Sequence, residues 1–113
     1  MHELSIAMNI LDIIREEMKK NQAGKLISVE LEIGALSGVV KDALEFAFEE
    51  ALKQGNFQDA RIVYDEKPGM ARCSSCGAEF VTDDYITPCP ECFHPYTDII
   101  QGRELKIRSI VIE

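Results

Sequence analysis

Apolar residues recur along the first segment at steps of three and four: Leu4, Ala7, Met8, Leu11, Ile14 and Met18. That period puts them on one stripe of a helix running from about Leu4 to Lys20. Lys19 and Lys20 suit its negative end, and Asn21 with Gly24 marks its stop. The pattern then becomes an alternation. Ile27, Val29, Leu31 and Ile33 alternate with Ser28, Glu30 and Glu32, predicting a strand over 25–33 with one buried and one wet face. After a turn at 34–38, a second helix runs to about Lys53, with Ser37 as its cap and Gly55 as its terminator. Val40, Ala43, Leu44, Ala47, Phe48, Ala51 and Leu52 form its buried stripe. Strands follow over 61–66 and 104–112. In the last one Leu105 and Ile107 alternate, whereas Ile110, Val111 and Ile112 are continuous, which a bulge or burial of both faces would explain.

The order is αβαβ, insert, β. It predicts an α+β fold: two helices on one face of a three-stranded mixed sheet, the first two strands parallel through a right-handed crossover. An inserted four-cysteine, zinc-ribbon-like subdomain precedes the last strand. Residues 1–69 plus 103–113 form the main domain. Residues 70–102 form the insert, which holds all four cysteines and three of the four prolines.

Composition narrows the function. The 113 residues are 46% hydrophobic, enough for a core, and carry a net charge of −8 from 12 basic and 20 acidic residues. That balance opposes a nucleic-acid partner or an anionic membrane surface. The apolar start is interrupted by Ser5, Asn9 and Asp12, so neither a membrane span nor a secretory signal is expected, and the cytoplasm is the default location. No nucleophile–base pair or phosphate loop stands out, so an enzyme is not expected.

Cys73-Ser-Ser-Cys76 and Cys89-Pro-Glu-Cys92 are two CxxC pairs. Two residues between ligands let one tight turn present both sulfurs to an ion, and two such turns complete a tetrahedral shell. The gap between the pairs leaves room for a short hairpin. The insert has too few apolar residues to fold unaided, so metal should supply its folding energy. A reducing cytosol disfavours disulfides. A thioredoxin-like pair would lie between a strand and a helix. Zinc is the usual ion of such ribbons, but iron in a rubredoxin-like electron carrier uses the same donors. Gly77 suits a turn after the first pair, while Phe93 in the matching place predicts a less regular second turn. His94 is either a surface histidine or a residue able to exchange for a thiolate.

The start, Met1-His2-Glu3, offers a different donor set. The Met1 amine, the His2 backbone nitrogen and His2 Nδ1 can close a five- and a six-membered chelate ring on one ion. A planar nitrogen clamp suits Ni(II) or Cu(II) and suits zinc poorly. Glu3 or Asp42 could add an oxygen. The amine must be unprotonated, so binding weakens in acid.

The segments MHELSIAMNIL, LEIGALSGVVKDALEFAFEEA, CSSCG with CPEC, and GRELKIRSIVIE together resemble the HypA family over essentially the whole chain. These are the nickel metallochaperones of NiFe hydrogenase maturation. The resemblance implies an αβ nickel domain interrupted by a zinc domain. It implies Ni(II) held by Met1 and His2, with Glu3 completing the family's start, and structural Zn(II) held by Cys73, Cys76, Cys89 and Cys92. It implies delivery with the accessory GTPase HypB to the NiFe hydrogenase large-subunit precursor, from a monomer or homodimer. Some members carry a carboxylate near the start of the second helix. Here Gly38-Val39-Val40 stands there, leaving Asp42 as the nearest substitute. His2, Ile6, Asn9 and Ile13 form a second row on the first helix, either covered or open to the GTPase, with Phe46 on the second helix a weaker candidate.

Overall fold

The computed structural model describes residues 3–55, 57 and 59–113. Helix α1 spans Glu3–Lys20, strand β1 Leu26–Gly34, helix α2 Lys41–Gln54 and strand β2 Arg61–Lys67. Strands β3 (Met70–Cys73), β4 (Glu79–Val81), β5 (Thr97–Gln101) and β6 (Leu105–Ile112) complete the order. Two three-stranded sheets result, β2-β1-β6 and β4-β3-β5. Two compact bodies divide the chain. One comprises residues up to Leu31, Val39–Asp65 and Lys106–Glu113, and the other Glu32–Gly38 and Glu66–Leu105.

In the first sheet β1 is central. The Lys25 and Glu113 backbones exchange hydrogen bonds and Gly34 N–H donates to the Glu104 carbonyl, so β1 and β6 run antiparallel. Ala35 N–H donates to the Lys67 carbonyl, which brings the ends of β1 and β2 together, as parallel strands require. The sheet is therefore mixed, and the two helices pack against each other over one face. Phe48, Leu11, Ile14, Leu31, Leu44 and Val29 are its largest fully buried side chains.

The buried faces differ from the expected stripes in detail. On α1 the core row is Ala7, Ile10, Leu11, Ile14 and Met18, while Leu4 and Met8 are 46% and 47% exposed. At 100° per residue the row centres between Ala7 and Ile14, and Leu4 and Met8 fall on its flank. The helix simply carries more apolar residues than its core contact covers. It ends at Lys20 as expected, and the left-handed residue that closes it is Gln22, at φ +53°, and not Gly24. Ala23 N–H donates to the Met18 carbonyl and Gln22 N–H to that of Lys19, a Schellman arrangement.

Helix α2 starts at Lys41, later than expected. Val40, with extended backbone and no side-chain cap, takes the N-cap position instead of Ser37, and is 61% exposed. The left-handed Gly38, at φ +80°, turns the chain before it. Ala43 is exposed too, so the buried row is Leu44, Ala47, Phe48, Ala51 and Leu52. Gly55 ends the helix as expected, its N–H donating to the Ala51 carbonyl. In β6 both Arg108 and Ser109 are exposed, after which the inward phase resumes one residue late. Ile110 and Ile112 are half-buried and Val111 exposed, so the apolar run reflects a phase slip and not burial of both faces.

Candidate metal centre

The second body buries few apolar side chains, among them Ile33, Leu36 and Ala71, beside Cys73 and Cys89. Strand β3 pairs antiparallel with both β4 and β5. The β3–β4 hairpin straddles the first CxxC pair, and of the room for a hairpin between the two pairs only β4 is used as strand. Cys73 ends β3, and its N–H donates to the Ala78 carbonyl just before β4. The segment after β4 is instead tied by side chains: Thr82 Oγ1 lies 2.5 Å from Thr87 Oγ1 and accepts from Asp84 N–H. The Tyr85 hydroxyl donates to the Leu36 carbonyl.

The four cysteine Sγ atoms lie within 4.8 Å of one another. Cys73 and Cys92 Sγ are 3.5 Å apart and Cys76 and Cys89 Sγ 3.7 Å apart, all four being free thiols. A metal–sulfur bond of about 2.3 Å puts sulfurs of a regular tetrahedron about 3.8 Å apart. Both spacings lie within about 0.3 Å of that value and all four sulfurs within 4.8 Å of one another, so these residues fit one tetrahedral ion. Cys73 and Cys89 are buried, Cys76 and Cys92 exposed.

The two turns are nearly identical. In the first, Ser75 and Cys76 N–H groups point at Cys73 Sγ at 3.3 and 3.4 Å. In the second, Glu91 N–H points at Cys89 Sγ at 3.4 Å. Gly77 N–H donates to the Cys73 carbonyl and Phe93 N–H to the Cys89 carbonyl. Cys73 N–H donates to the Ala78 carbonyl and Cys89 N–H to the His94 carbonyl. Phe93 adopts the left-handed backbone a glycine would, so the second turn keeps the same backbone bonds and differs by one N–H fewer at its sulfur, a smaller irregularity than expected. In the first turn Gly77 is the sequence signal for amides aimed at sulfur, whereas Phe93 gives none in the second, since any residue but proline supplies an N–H. The equal spacing of the two motifs was the available signal.

The donors polarise the cluster. The Cys76 N–H, opposed by burial and aided by the Ser75 N–H, draws the Cys73 thiol down to about 6. Cys92 goes the other way. The His94 N–H favours its thiolate, but the Cys73 sulfur, burial and the other two cysteines together push it up to about 12. Cys76 is also raised: the Ala78 N–H favours its thiolate, but burial and Cys89 outweigh it. Four sulfurs this close need a cation before all can be anionic.

His94 is half-buried, its ring edge-on to Tyr96 at 5.7 Å, and is not among the four clustered ligands. Met1 and His2 lie outside the described residues. Glu3 opens α1 and Asp42 lies in the first turn of α2, places where the helix dipole favours a carboxylate. Among the described residues, no helix is long and apolar enough to cross a membrane.

Comparison with known proteins adds to this geometry. Residues 1–112 match the family described as hydrogenase/urease nickel incorporation, metallochaperone, hypA. A hydrogenase maturation factor HypA of Chlorobium luteolum is 41% identical over 113 residues, covering 100% of this chain and 97% of that protein. A protein of the same name from Geobacter metallireducens is 39% identical, with 100% of each chain covered. The solution structure of the Ni metallochaperone HypA from Helicobacter pylori superposes with a TM-score of 0.68 at 28% identity, covering 99% of this chain and 97% of the other. A further solution structure of HypA protein gives a TM-score of 0.73 at 27% identity, covering 100% and 97%.

Proposed function

The chain belongs to the HypA family of hydrogenase and urease nickel-incorporation metallochaperones, and from that membership we propose that it takes up Ni(II) at its amino terminus and passes it on during NiFe hydrogenase maturation. The observation that carries the reading is the family match over residues 1–112, which includes the Met1-His2-Glu3 start.

The two donor sets suit different metals. Soft thiolates in a four-sulfur shell suit a structural zinc, which leaves no open position for chemistry. Nitrogen donors from the Met1 amine, the His2 amide and His2 Nδ1 suit Ni(II) in a planar clamp, with Glu3 or Asp42 as oxygen donor. Such a clamp needs an unprotonated amine, whose reference value is about 7.7–8.0, so nickel is held more weakly in acid, which suits a cargo that must be handed on. Cys73, Cys76, Cys89 and Cys92 would hold Zn(II) and organise residues 70–102, while residues 1–69 and 103–113 carry the nickel function. No catalytic step is required of the chain itself. The family reading adds the GTPase HypB and the hydrogenase large-subunit precursor as cytoplasmic partners. A docking row on α1 suits the first of these: Ile13 is 55% exposed and Ile6 half-buried.

The test is a nickel titration of the zinc-loaded, untagged chain. One tight Ni(II) per chain with zinc retained is expected; no uptake, or uptake only as zinc leaves, would reject the reading.

A further inference from the structure

A cleft of about 240 Å³ opens between α2 and the edge strand β2, lined by Glu45, Phe48, Glu49, Leu52, Ile62 and Tyr64. All of these lie within the first compact body. The floor is apolar and aromatic. Phe48 is almost fully buried and meets the Tyr64 ring edge-on at 6.5 Å. The mouth is anionic, since Glu45 and Glu49 are one helical turn apart and share a side of α2. The chain already sets a cation here: Lys41 Nζ lies 5.7 Å over the Tyr64 ring and 3.4 Å from Glu45. Among the described residues lining it, the cleft thus carries two carboxylates, and Lys41 pairs with one of them, Glu45. The field is felt at Tyr64, whose proton is held well above the ordinary phenol range by burial, then by Glu45 and Glu49.

We propose that this cleft receives an arginine side chain presented by a protein partner, with Lys41 as the chain's own occupant that the arginine displaces. Size argues for a single side chain, because pockets for drug-sized ligands run to roughly 300–1,000 Å³. Chemistry argues for arginine over lysine. A guanidinium is planar, stacks on a ring face and presents a fork of donors to carboxylates, while its methylene stem lies on apolar floor. Lys41 offers only a point charge and leaves those geometries unused. A protein source is favoured because the net charge of −8 steers basic surfaces toward the chain. Neither Glu3, Asp42 nor any of the four cysteines is among the described residues lining the cleft, so the proposal stands apart from the nickel reading.

The experiment is an NMR titration of the zinc-loaded full chain with N-acetyl-arginine methylamide and, in parallel, its citrulline counterpart, which keeps the shape and loses the charge. Saturable shifts confined to Lys41, Glu45, Glu49 and Tyr64 are expected with arginine, and none with citrulline. Glu49→Gln, on an exposed helix position, should weaken binding about three- to fivefold, and Lys41→Ala should tighten it by a similar factor. Shifts scattered over the acidic surface, an equal response to citrulline, or unchanged affinity in both variants would overturn the proposal.

Discussion

Gly77 and Phe93 hold equivalent places in two matching turns, each one residue past a CxxC pair and each left-handed, with φ of +78° and +63°. Each donates its N–H to the carbonyl of the first cysteine of its pair, at 3.1 and 2.8 Å. Glycine adopts that backbone freely, whereas an L side chain is strained there. A Cβ on Gly77 would meet nothing within 4 Å, so the strain is torsional and not steric. Gly77→Ala should therefore cost about 1–2 kcal/mol. Phe93→Gly should stabilise by about 1 kcal/mol, because Phe93 is 78% exposed and little packing is lost. Denaturant midpoints of the zinc forms check both signs.

Zinc binding should release protons. The metal-free cluster has one thiol drawn down to about 6, Cys73, and one pushed up to about 12, Cys92. Cys73 therefore stabilises the metal-free turn above the ordinary thiol range, and that contribution is lost as pH falls through about 6. Cys92 acts in the opposite sense, favouring the fold while protonated and losing that contribution as pH rises towards about 12. A divalent ion needs all four thiolates, so its affinity rises with pH. Calorimetry at pH 7 in buffers of different ionisation enthalpy should count more than one proton released per zinc; one or fewer would contradict the cluster's electrostatics.

Losing one ligand should unfold one body and spare the other. In the cysteine-bearing body the buried side chains, among the described residues, are Ile33, Leu36, Ala71, Thr82, Cys73 and Cys89, and two of these are proposed ligands. The helices instead rest on Phe48, Leu11, Ile14, Leu31 and Leu44. Cys73→Ser should abolish zinc retention and amide protection over 70–102 while leaving helical circular dichroism nearly intact. Cooperative loss of both signals would contradict it.

The strand and helix order, the mixed sheet and the four-sulfur shell were legible because each rests on periodicity or fixed spacing. Ile33, Leu31 and Val29 had no alternative face. Leu4 and Met8 were misplaced because α1 is apolar around more of its circumference than α2 and the sheet cover, and sequence period alone cannot locate the centre of a wide arc. The start of α2 was missed since Ser37 has cap chemistry and Val40 has none; left-handed Gly38 decided the matter. The sheet of β3, β4 and β5 was hidden in strands of three to five residues, too short for alternation to show. The cleft at Tyr64 depends on the pairing of α2 with β2, which no local pattern reports.

Docking of the GTPase HypB should depend on the exposed row of α1. Ile13→Asp places a charge on a position already 55% exposed, so folding should tolerate it. Nickel and zinc stoichiometry should stay unchanged while GTPase binding in pull-down falls at least about tenfold, because an apolar anchor at an interface centre contributes this much. Full retention of binding would remove the row as the docking surface.

The central claim is that the free amino terminus itself grips nickel. Acetylating the Met1 amine keeps every side chain and the metal cluster, but turns the amine into an amide and removes the donor that anchors the five-membered ring. Calorimetric nickel titration of the native and acetylated chains, with zinc measured in each, separates the two outcomes. Nickel binding should weaken at least about tenfold, a loss of about 1.4 kcal/mol or more, with zinc unchanged at one per chain. Equal nickel affinity in the two proteins would contradict it.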